Sequence, residues 1–472
     1  MLVNKFAMAP LSARKERIRA TMEDNKKPLQ PRQPSVPRVN LNIINDENSI
    51  RPVTPKGEPI SSRRSNPRFS RGSARPSTTI NPVVPNGPIT PHEARQQYAP
   101  LLNSYEQKEI DDYPEIYFLG QINKKIRPTN SNSNNHGYDD SSSHYRAIVG
   151  DHIAYRYEIR AILGKGAFGQ VIRCFDHKTK QSVALKLIVN TEIMQEQGRI
   201  EVAIIQHLNN HDPDKKQHVI RGLDYFIFRR HICATFEILG QNMYEYSRSM
   251  RFRPISSPTM KPIAQQILQG LAFCHSNNVV HCDMKPENIL LLPGGFKSVK
   301  IIDFGSSCFV GHQRYEYIQS RFYRAPEVIL GIKYGPPMDI WSFGCIIIEM
   351  MIGKPIFPGN DEHEQLEMLM EVFGAPPNEI LQQCSRRHEF FTNEGKLRPP
   401  KERRRRRPVG STTLQQLTHI PDSLLIDLLS KCFEWDQKKR ITASDALNHP
   451  WFTTKEIQTN KVQSHILPEL IR

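Results

Sequence analysis

Hydrophobic residues cluster in one part of this 472-residue chain, between about residue 150 and residue 455. The first 88 residues are instead rich in Pro, Ser, Asn and Arg, as in PLQPRQPSVPR and NPVVPNGP. A segment of that composition cannot bury enough apolar surface to offset its conformational entropy. We therefore predict a disordered tail over 1–88, an ordered accessory region over 89–156, a globular domain over 157–452 and a second tail over 453–472.

The globular domain begins with the pattern of β-strands. YEIRAILGKGAFGQVIRCFDH and the following QSVALKLIV alternate β-branched and aromatic residues around a glycine turn, which predicts three strands. HIAYRYEI, 152–159, alternates in the same way and is predicted to be a strand. RIEVAIIQHLNNH has helical periodicity, and HICATFEIL returns to the strand pattern. Residues 157–239 are thus predicted to form a small antiparallel β lobe with one main helix.

The rest of the domain has mostly helical periodicity, as in IAQQILQGLAFCHS, MDIWSFGCIIIEMMIG and SLLIDLLSKCF. Residues 240–452 are therefore predicted to form a larger α-helical lobe. The predicted class is α+β and two-lobed, with a ligand cleft between the lobes. FGCIIIEMMIG, 343–353, is the longest apolar segment, but it contains a glutamate and is too short to span a bilayer. We predict a buried helix there and no membrane association.

The accessory region opens with a helix start signal. Thr90, Pro91 and Glu93 provide an N-cap, a first-turn proline and a capping carboxylate before apolar residues at helical spacing. SNSNNHGYDDSSS, 131–143, predicts a loop.

The net charge of +16 is concentrated at the start of the chain, where residues 1–100 hold 17 Lys and Arg against 7 Asp and Glu. KERRRRRP, 401–408, is a second basic cluster. Consecutive arginines repel one another, so we predict an exposed loop, with a nuclear-import signal or an acidic docking patch as the alternative. Clustered cations also suit nucleic acid. No aromatic residues are interleaved with the arginines and no RNA-binding motif occurs, so nucleic-acid binding is not expected.

The eight cysteines are dispersed and form no Cys-x-x-Cys pair. That pattern predicts reduced thiols rather than a disulfide framework or a zinc site. The first residues also lack the continuous apolar core of a secretory signal. A cytoplasmic or nuclear location is therefore expected.

The stretch GKGAFGQV, 164–171, has the spacing of a glycine-rich phosphate-binding loop. Glycines let backbone N–H groups approach phosphate oxygens closely. A dinucleotide site has similar glycines, but it requires a helix directly after them, and a β-rich sequence follows here. Lys186, on the next predicted strand, can pair with phosphates. Glu201, on the predicted helix, is expected to hold the Lys186 ammonium in place.

A second set of polar residues lies in VVHCDMKPENILLL, 279–292, between two apolar runs. Phosphoryl transfer requires a base for the acceptor hydroxyl, a cation near the γ-phosphate and oxygen ligands for magnesium. Asp283, Lys285 and Asn288 supply one of these each. Asp303, in KIIDFGSS, adds a carboxylate suited to magnesium. Each acid alone would more often be a turn or capping residue, but the ordered set predicts phosphoryl transfer.

These motifs stand in the order found in the protein kinases, which residues 157–452 resemble. Ala325-Pro326-Glu327, DIWSFG at 339–344 and Arg440, as a partner of Glu327, extend the resemblance into the large lobe. An insert over about 375–413, which contains the arginine run, fits the kinase pattern least well.

Further features resemble one kinase family, the dual-specificity tyrosine-phosphorylation-regulated kinases (DYRK), within the CMGC group. Cys282 replaces the arginine common in kinases activated by loop phosphorylation, Tyr315 and Tyr317 form a Tyr-x-Tyr pair, and SSC follows DFG. YPEIYFLG, GYDD and HYRAIVGDHIAYRYEI resemble the accessory region and homology box of class II members.

The resemblance implies roles for these residues. Asp283 would deprotonate the acceptor hydroxyl, Lys285 would offset charge on the γ-phosphate, and Asn288 and Asp303 would hold Mg²⁺. The implied ATP-binding residues are Leu163, Gly164, Lys165, Gly166, Ala167, Phe168, Gly169, Gln170, Val171, Ala184, Lys186, Glu201, Phe236, Glu237, Ile238 and Leu239. Among them Phe236 would be the gatekeeper, and backbone groups of Glu237 and Leu239 would bind the adenine.

The implied enzyme is a protein kinase that uses ATP with Mg²⁺, or Mn²⁺ as a substitute. It would phosphorylate Ser or Thr before proline, with arginine upstream favoured, after phosphorylating its own Tyr317, whose phosphate Arg321 and Arg324 would clamp. Thr54, in RPVTP, is predicted to be a further self-phosphorylation site. The expected partners are protein substrates, and the protein is expected to be monomeric. A pseudokinase scaffold without turnover is the rival hypothesis.

Overall fold

The structure, a computed structural model, describes residues 87–129, 131–399 and 408–454. The predicted disordered tail up to residue 86, including Thr54, and the arginines at 403–407 lie outside these residues. The described chain divides into two compact units. The β unit contains the described residues up to Lys215, together with Ile220–Ile238 and Phe304–Ser306. The helical unit contains Lys216–Val219, Leu239–Asp303 and the described residues from Ser307 onward.

The strands are β1 (His152–Ile153), β2 (Tyr157–Gly166), β3 (Gly169–Asp176), β4 (Gln181–Ile188), β5 (Gly222–Phe228), β6 (His231–Phe236), β7 (Val279–Val280), β8 (Ile289–Leu291), β9 (Val299–Ile301) and β10 (Cys308–Phe309). The α-helices are α1 (Pro91–Tyr98), α2 (Glu106–Glu109), α3 (Glu192–His211), α4 (Met243–Ser249), α5 (Ser257–Ser276), α6 (Pro326–Ile329), α7 (Pro337–Ile352), α8 (Glu362–Phe373), α9 (Asn378–Gln383), α10 (Arg387–Phe390), α11 (Leu414–Thr418), α12 (Ser423–Cys432), α13 (Ala443–Leu447) and α14 (Pro450–Thr453). Short 3₁₀ turns cover Ala99–Leu101, Ile110–Asp112, Ile122–Lys124, Asn135–Gly137, Pro286–Asn288, Phe304–Ser306 and Arg321–Tyr323.

The β unit is built on a six-stranded antiparallel sheet in the order β1-β2-β3-β4-β6-β5. The helix α3 packs on it through a small core of Ile188, Val202, Ile232 and Ala234. The alternation in the strands and the helical period of α3 were both apparent in the sequence. The antiparallel lobe with one main helix, the first half of the predicted α+β class, is confirmed.

The prediction of one strand over 152–159 is wrong. His152–Ile153 and the start of β2 pair antiparallel with each other, with Ile153 opposite Tyr157. Ala154 and Tyr155 between them have φ of 50° and 51°, which is the left-handed region used in tight turns. Apolar alternation continues through such a turn, so the period alone does not reveal it.

The accessory region begins with the predicted cap. The Thr90 Oγ1 accepts the Glu93 N–H at 3.2 Å, and the Glu93 carboxylate accepts the Thr90 N–H at 2.7 Å. The helix α1 ends at Tyr98, just before Pro100, which has no N–H to continue it. The helical spacing of this segment is therefore divided between α1, a 3₁₀ turn and α2.

The accessory region shares the hydrophobic core of the sheet. Tyr138 and Tyr145 belong to the same buried cluster as Ile159, Leu185 and Cys233 on the strands. The buried Arg229, in the β5–β6 turn, donates to Glu109 at 2.8 Å and lies 3.9 Å from the Tyr138 ring centre. Removing the accessory region would therefore expose apolar surface and leave a buried cation unpaired.

The helical unit surrounds the predicted buried helix, α7, of which Ile346, Ile347 and Ile348 are fully buried. Trp341 on this helix packs edge-on against Phe433 at 5.0 Å. The predicted pair between Glu327 and Arg440 is present, with hydrogen bonds of 2.7 and 2.8 Å, and both residues are buried. The α-helical second half of the predicted class is confirmed. Within the described part of the chain, no helix is long and apolar enough to span a bilayer.

Candidate active site

The glycine-rich stretch forms the tip of the β2–β3 hairpin, where Gly166 is opposite Gly169. Residues 163–167 are exposed. A side chain at Gly169 would place its Cβ 2.2 Å from the Leu187 carbonyl oxygen, so only glycine fits there. Gly164 and Gly166 have open space around them, as a loop that covers a ligand requires.

Lys186 lies on β4, directly beside the β3 strand of the glycine-rich hairpin, and is paired with Val171 of β3. Its Nζ is 2.5 Å from the Glu201 Oε1 on α3, and both side chains are largely buried. The predicted ion pair is therefore present. Because four methylenes of lysine are otherwise flexible, the carboxylate fixes the position of the ammonium.

Two further positions in the β unit complete this group. Ala184 lies two residues before Lys186 on β4 and is opposite Phe236 on the neighbouring strand β6. Phe304 is fully buried, and the Gly305 carbonyl accepts the Gln197 side-chain amide of α3 at 3.0 Å. The Phe-Gly half of the DFG motif is thus attached to the helix that carries Glu201.

The predicted adenine-binding residues follow β6. Glu237 and Ile238 are half-buried in the β unit, and Leu239 is the first residue of the next segment of the helical unit. The Glu237 Oε1 accepts the Arg221 N–H at 3.0 Å. This bond fixes the Glu237 side chain against the backbone just before β5.

In the helical unit, Asp283 lies in the loop after β7 and is held on both carboxylate oxygens. The Lys285 Nζ donates to Oδ2 at 2.6 Å, and the Ser320 hydroxyl and N–H donate to Oδ1 at 2.9 and 3.0 Å. The side chain is 11% exposed. Such a carboxylate is fixed in direction and still accessible to a hydroxyl group.

The backbone of this loop is held by a buried carboxylate from α7. Asp339 is fully buried and accepts the N–H groups of His281 at 2.8 Å and Cys282 at 3.0 Å. Cys282 has φ of 66°, an uncommon conformation for a residue with a side chain. Its Sγ is 3.8 Å from the Cys308 Sγ, and all eight cysteines, each within the described residues, are free. The Asp339 contacts offset the strain at Cys282.

Asn288 and Asp303 lie at the same end of the β8–β9 ladder. Asn288 directly precedes β8, and its carbonyl accepts the Ile302 N–H at 2.9 Å. The Asn288 side-chain amide donates to the Asp283 carbonyl at 2.8 Å, which leaves the amide oxygen as the atom that can ligate a cation. Asp303 has φ of 63°. A carboxylate and an amide oxygen at one end of a hairpin fit the oxygen preference of Mg²⁺.

The predicted phosphorylation loop is also in the helical unit. Tyr317 is 41% exposed, whereas Tyr315 is half-buried, and its carbonyl accepts the Tyr334 hydroxyl at 2.8 Å. The Arg324 guanidinium carbon lies 4.1 Å from the centre of the Tyr317 ring. Arg321 donates to the Asn360 carbonyl, while its buried Nε has no hydrogen-bond partner among the described residues.

Arg324 itself is largely occupied. It donates to the carbonyls of Ile318 at 2.9 Å and Gln319 at 2.8 Å, and to Glu362 at 3.1 Å. Gln319 has φ of 67°, so its carbonyl is turned toward this guanidinium. Arg386 shares Glu362, at 2.9 Å.

Several residues important here were not identified from the sequence: Ser320, Gln319, Glu362 and, as a support for the loop, Asp339. Ser320 and Gln319 directly precede Arg321 in a segment already singled out, so proximity was the available signal. Glu362 lies 38 residues from Arg324 and carries no local signal of its contact.

Two carboxyl groups near this loop form no ion pair with a described residue. Glu349 is 6% exposed, and burial raises its pKa to about 7, although a hydrogen bond from the Tyr323 hydroxyl at 2.7 Å acts in the opposite direction. Burial also raises the pKa of Glu287, whose Oε2 has no hydrogen-bond partner among the described residues. The two carboxylates repel each other, which adds to the rise at Glu349.

Comparison with known proteins places these motifs in a family. The profile of the protein kinase domain matches residues 157–452. Dual specificity tyrosine-phosphorylation-regulated kinase 3 of Rattus norvegicus is 42% identical over 411 residues, which cover 83% of this chain and 69% of the rat protein. The Homo sapiens protein of the same name is 42% identical over 418 residues, 83% of this chain and 71% of its own length. The DYRK-family kinase pom1 of Schizosaccharomyces pombe is 40% identical over 428 residues, 90% of this chain and 39% of its own length.

Proposed function

Because the chain belongs to the dual-specificity tyrosine-phosphorylation-regulated kinase family of protein kinases, we propose that it phosphorylates Ser or Thr before proline after phosphorylating its own Tyr317. The observation that carries the proposal is the Asp283 carboxylate, held by Lys285 and Ser320 in a largely buried but accessible position. Protein substrates follow from the family.

In the proposed reaction, Asp283 orients the acceptor hydroxyl and receives its proton as the oxygen attacks the γ-phosphorus of ATP. The bond from that phosphorus to the β,γ-bridging oxygen breaks, and ADP leaves with the electron pair. Lys285 offsets negative charge on the transferring group. Lys186, positioned by Glu201, binds the phosphates of the same nucleotide, and the glycine hairpin covers them.

Asn288 and Asp303 would hold Mg²⁺, with Mn²⁺ as a substitute. The cation neutralises phosphate charge. Phe236 and the backbone of Glu237 and Leu239 would receive the adenine, with Ile238 between them.

The preference for proline is supported by the hydrogen bond that the Gln319 carbonyl already accepts from Arg324. Arg324 occupies that oxygen at 2.8 Å, so it is not available to accept an N–H from a bound substrate. A residue with an N–H placed there would lose a hydrogen bond on binding, at a cost of about 1–3 kcal/mol. Proline has no N–H and loses nothing.

The preference for upstream arginine is supported by Glu287 and Glu349. Burial raises the pKa of both carboxyl groups, and neither forms an ion pair with a described residue, so a guanidinium from the substrate would stabilise their charged forms. These residues adjoin the catalytic loop and α7, on the same unit as Asp283.

Self-phosphorylation of Tyr317 rather than Tyr315 is supported by exposure, since the Tyr317 ring is accessible while Tyr315 is half-buried. The proposed phosphate would be bound by Arg324 and by Arg321, whose Nε has no hydrogen-bond partner within the described ranges. We also propose that the accessory region assists the self-phosphorylation of Tyr317 and that Thr54 is a further self-phosphorylation site. The protein is proposed to be monomeric and to be located in the cytoplasm or the nucleus, and the eight free cysteines support this location.

Recombinant full-length protein tests the proposal by mass spectrometry and by transfer of phosphate to peptides. We expect phosphate on Tyr317 in the wild type and none in Asp303→Ala. A peptide with Arg-x-x-Ser-Pro should be phosphorylated faster than the matched Ser-Ala and arginine-free peptides. Wild-type protein without phosphate on Tyr317 and without transfer to any peptide would instead support the scaffold hypothesis.

A further inference from the structure

A part of the accessory region lies directly on the glycine-rich hairpin. Residues 139–145, here called the accessory hairpin, fold back on themselves, with Asp139 paired with Tyr145. The Asp140 Oδ1 accepts the N–H groups of Ser142 at 2.8 Å and His144 at 3.1 Å, which closes the turn. The accessory hairpin is therefore a defined element.

The base of the accessory hairpin is attached to the sheet. The Asp139 carboxylate accepts from the Asn190 side chain at 2.9 Å and contacts the buried His231 ring at 2.8 Å. The Ser143 carbonyl accepts the Asn190 N–H at 2.9 Å. The accessory hairpin thus cannot shift relative to β4 and β6 without breaking buried hydrogen bonds.

Its other side contacts the glycine-rich hairpin at three points. The Lys165 Nζ is 2.6 Å from the Asp140 Oδ2, the His144 Nε2 is 3.0 Å from the Gly166 carbonyl oxygen, and the Gln170 side-chain amide donates to the Tyr145 carbonyl at 2.5 Å. Because the Gly166 carbonyl only accepts, the His144 Nε2 carries the proton in this contact.

The register of the β2–β3 ladder places two of these contacts on the same face of the glycine-rich hairpin. Lys165 and Gln170 are direct cross-strand partners in the β2–β3 ladder, so their side chains project from the same face of the hairpin. The accessory hairpin binds both of them and a carbonyl one residue further toward the tip. Gly164 and Gly166 themselves have open space around them.

We propose that the accessory hairpin is a positioning element for ATP, which holds the glycine-rich loop in its phosphate-binding conformation through Asp140, His144 and the Tyr145 carbonyl. Asp140 and Lys165 form the positioning pair that can be tested most directly. The inference depends on the proposed role of the glycine-rich loop in binding ATP. It extends that role to Asp140, His144 and Tyr145, which lie outside the glycine-rich loop.

A double-mutant cycle on the full-length protein tests the proposal, with Asp140→Asn, Lys165→Met and the double variant. Asp140→Asn retains an oxygen for the Ser142 and His144 N–H groups and removes only the charge. Each single variant should raise KM for ATP about threefold to tenfold, while kcat changes less than about twofold, since loss of one charged hydrogen bond has about this size. The double variant should be no worse than the poorer single variant. Phosphate on Tyr317 is quantified in every variant, so that incomplete maturation is not mistaken for weaker ATP binding.

The matched control is Glu115→Gln. Glu115 forms an equally exposed ion pair of 3.0 Å with Lys178, also between the accessory region and the sheet, but away from the glycine-rich loop. Its KM for ATP should stay at the wild-type value. A KM unchanged in Asp140→Asn, additive effects in the double variant, or an equal rise in Glu115→Gln would each overturn the inference.

Two measurements keep other failures separate. If Asp140→Asn does not fold, as judged by its thermal midpoint, His144→Phe decides, because it removes the bond to the Gly166 carbonyl without changing the glycine-rich loop and should raise KM for ATP. Absence of phosphate transfer in the wild type would overturn the proposed function itself, whereas an active enzyme with unchanged KM would overturn only the inference.

Discussion

Glu349 is expected to make the stability of the helical unit depend on pH. The residue is on α7 and is 6% exposed, and burial raises its pKa from 4.5 to about 7. Repulsion from Glu287 acts in the same direction, while the Tyr323 hydrogen bond acts against it. The perturbation is Glu349→Gln, which keeps the shape of the side chain and removes its titration.

The magnitude follows from the shift. A rise of about 2.5 pH units corresponds to about 3 kcal/mol, since each unit is about 1.4 kcal/mol. The carboxyl pKa is higher in the folded than in the unfolded chain, so the folded state binds the proton more tightly. The stabilising contribution is complete below the unfolded pKa of 4.5 and is lost as pH rises through about 7. At pH 8 the buried carboxylate is charged, and the folded state is less stable than at pH 5 by about 2.5 kcal/mol, because part of the contribution is already lost at pH 5.

The assay is urea unfolding at pH 5 and pH 8, followed by tryptophan fluorescence, with Trp341 near Phe433 as a reporter of the core of this unit. Relative to wild type, Glu349→Gln should gain about 2.5 kcal/mol in free energy of unfolding between pH 5 and pH 8. Glu379→Gln, at an exposed position of α9, should show no such gain. Parallel curves for wild type and Glu349→Gln at the two pH values would refute the reasoning.

Three further changes have predicted outcomes. Glu327→Gln leaves the buried Arg440 without its partner and should lower the free energy of unfolding by about 3–5 kcal/mol in urea titrations, whereas Lys431→Met, in an exposed pair with Asp427, should cost less than about 1 kcal/mol. Ser320→Ala removes one of the two hydrogen bonds to the Asp283 Oδ1 and should lower kcat about tenfold with little change in KM for ATP, while Ser320→Thr retains activity; equal kcat in the wild type and Ser320→Ala would contradict this role. Glu362→Gln removes an anchor of Arg324 and should reduce the preference for Ser-Pro over Ser-Ala peptides several-fold in kcat/KM, and an unchanged ratio would separate Glu362 from substrate choice.

The local elements could be predicted because their signals are local. The alternation of β2 to β4, the helical period of α3 and α7, and the cap at Thr90 depend on residues within a few positions of one another. The pairing of Lys186 with Glu201 could also be predicted, because the order of the motifs indicated which strand and which helix carry these residues. The turn at Ala154 and Tyr155 was missed because apolar alternation is the same on both sides of it.

Long-range contacts could not be predicted in this way. Ser320 binds Asp283 across 37 positions of the sequence. Asp339 binds the backbone N–H of Cys282 across 57 positions, and Glu362 binds Arg324 across 38. A single sequence carries no signal for which polar side chains are in contact when they are this far apart along the chain. Burial, which raises the pKa of Glu349, is likewise a property of the packed unit.

The amino-acid sequence by itself determined the order of the catalytic motifs, the α+β class and the residue types available for phosphoryl transfer, because these depend on chemistry and spacing along the chain. Only the tertiary structure decided how those groups are held. It brought the accessory hairpin onto Lys165 and Gln170, turned the Gln319 carbonyl toward Arg324, and left Glu349 buried and Glu287 half-buried, neither in an ion pair with a described residue. Each of these results from packing between distant segments, where the cost of leaving a buried polar group unsatisfied selects its partner.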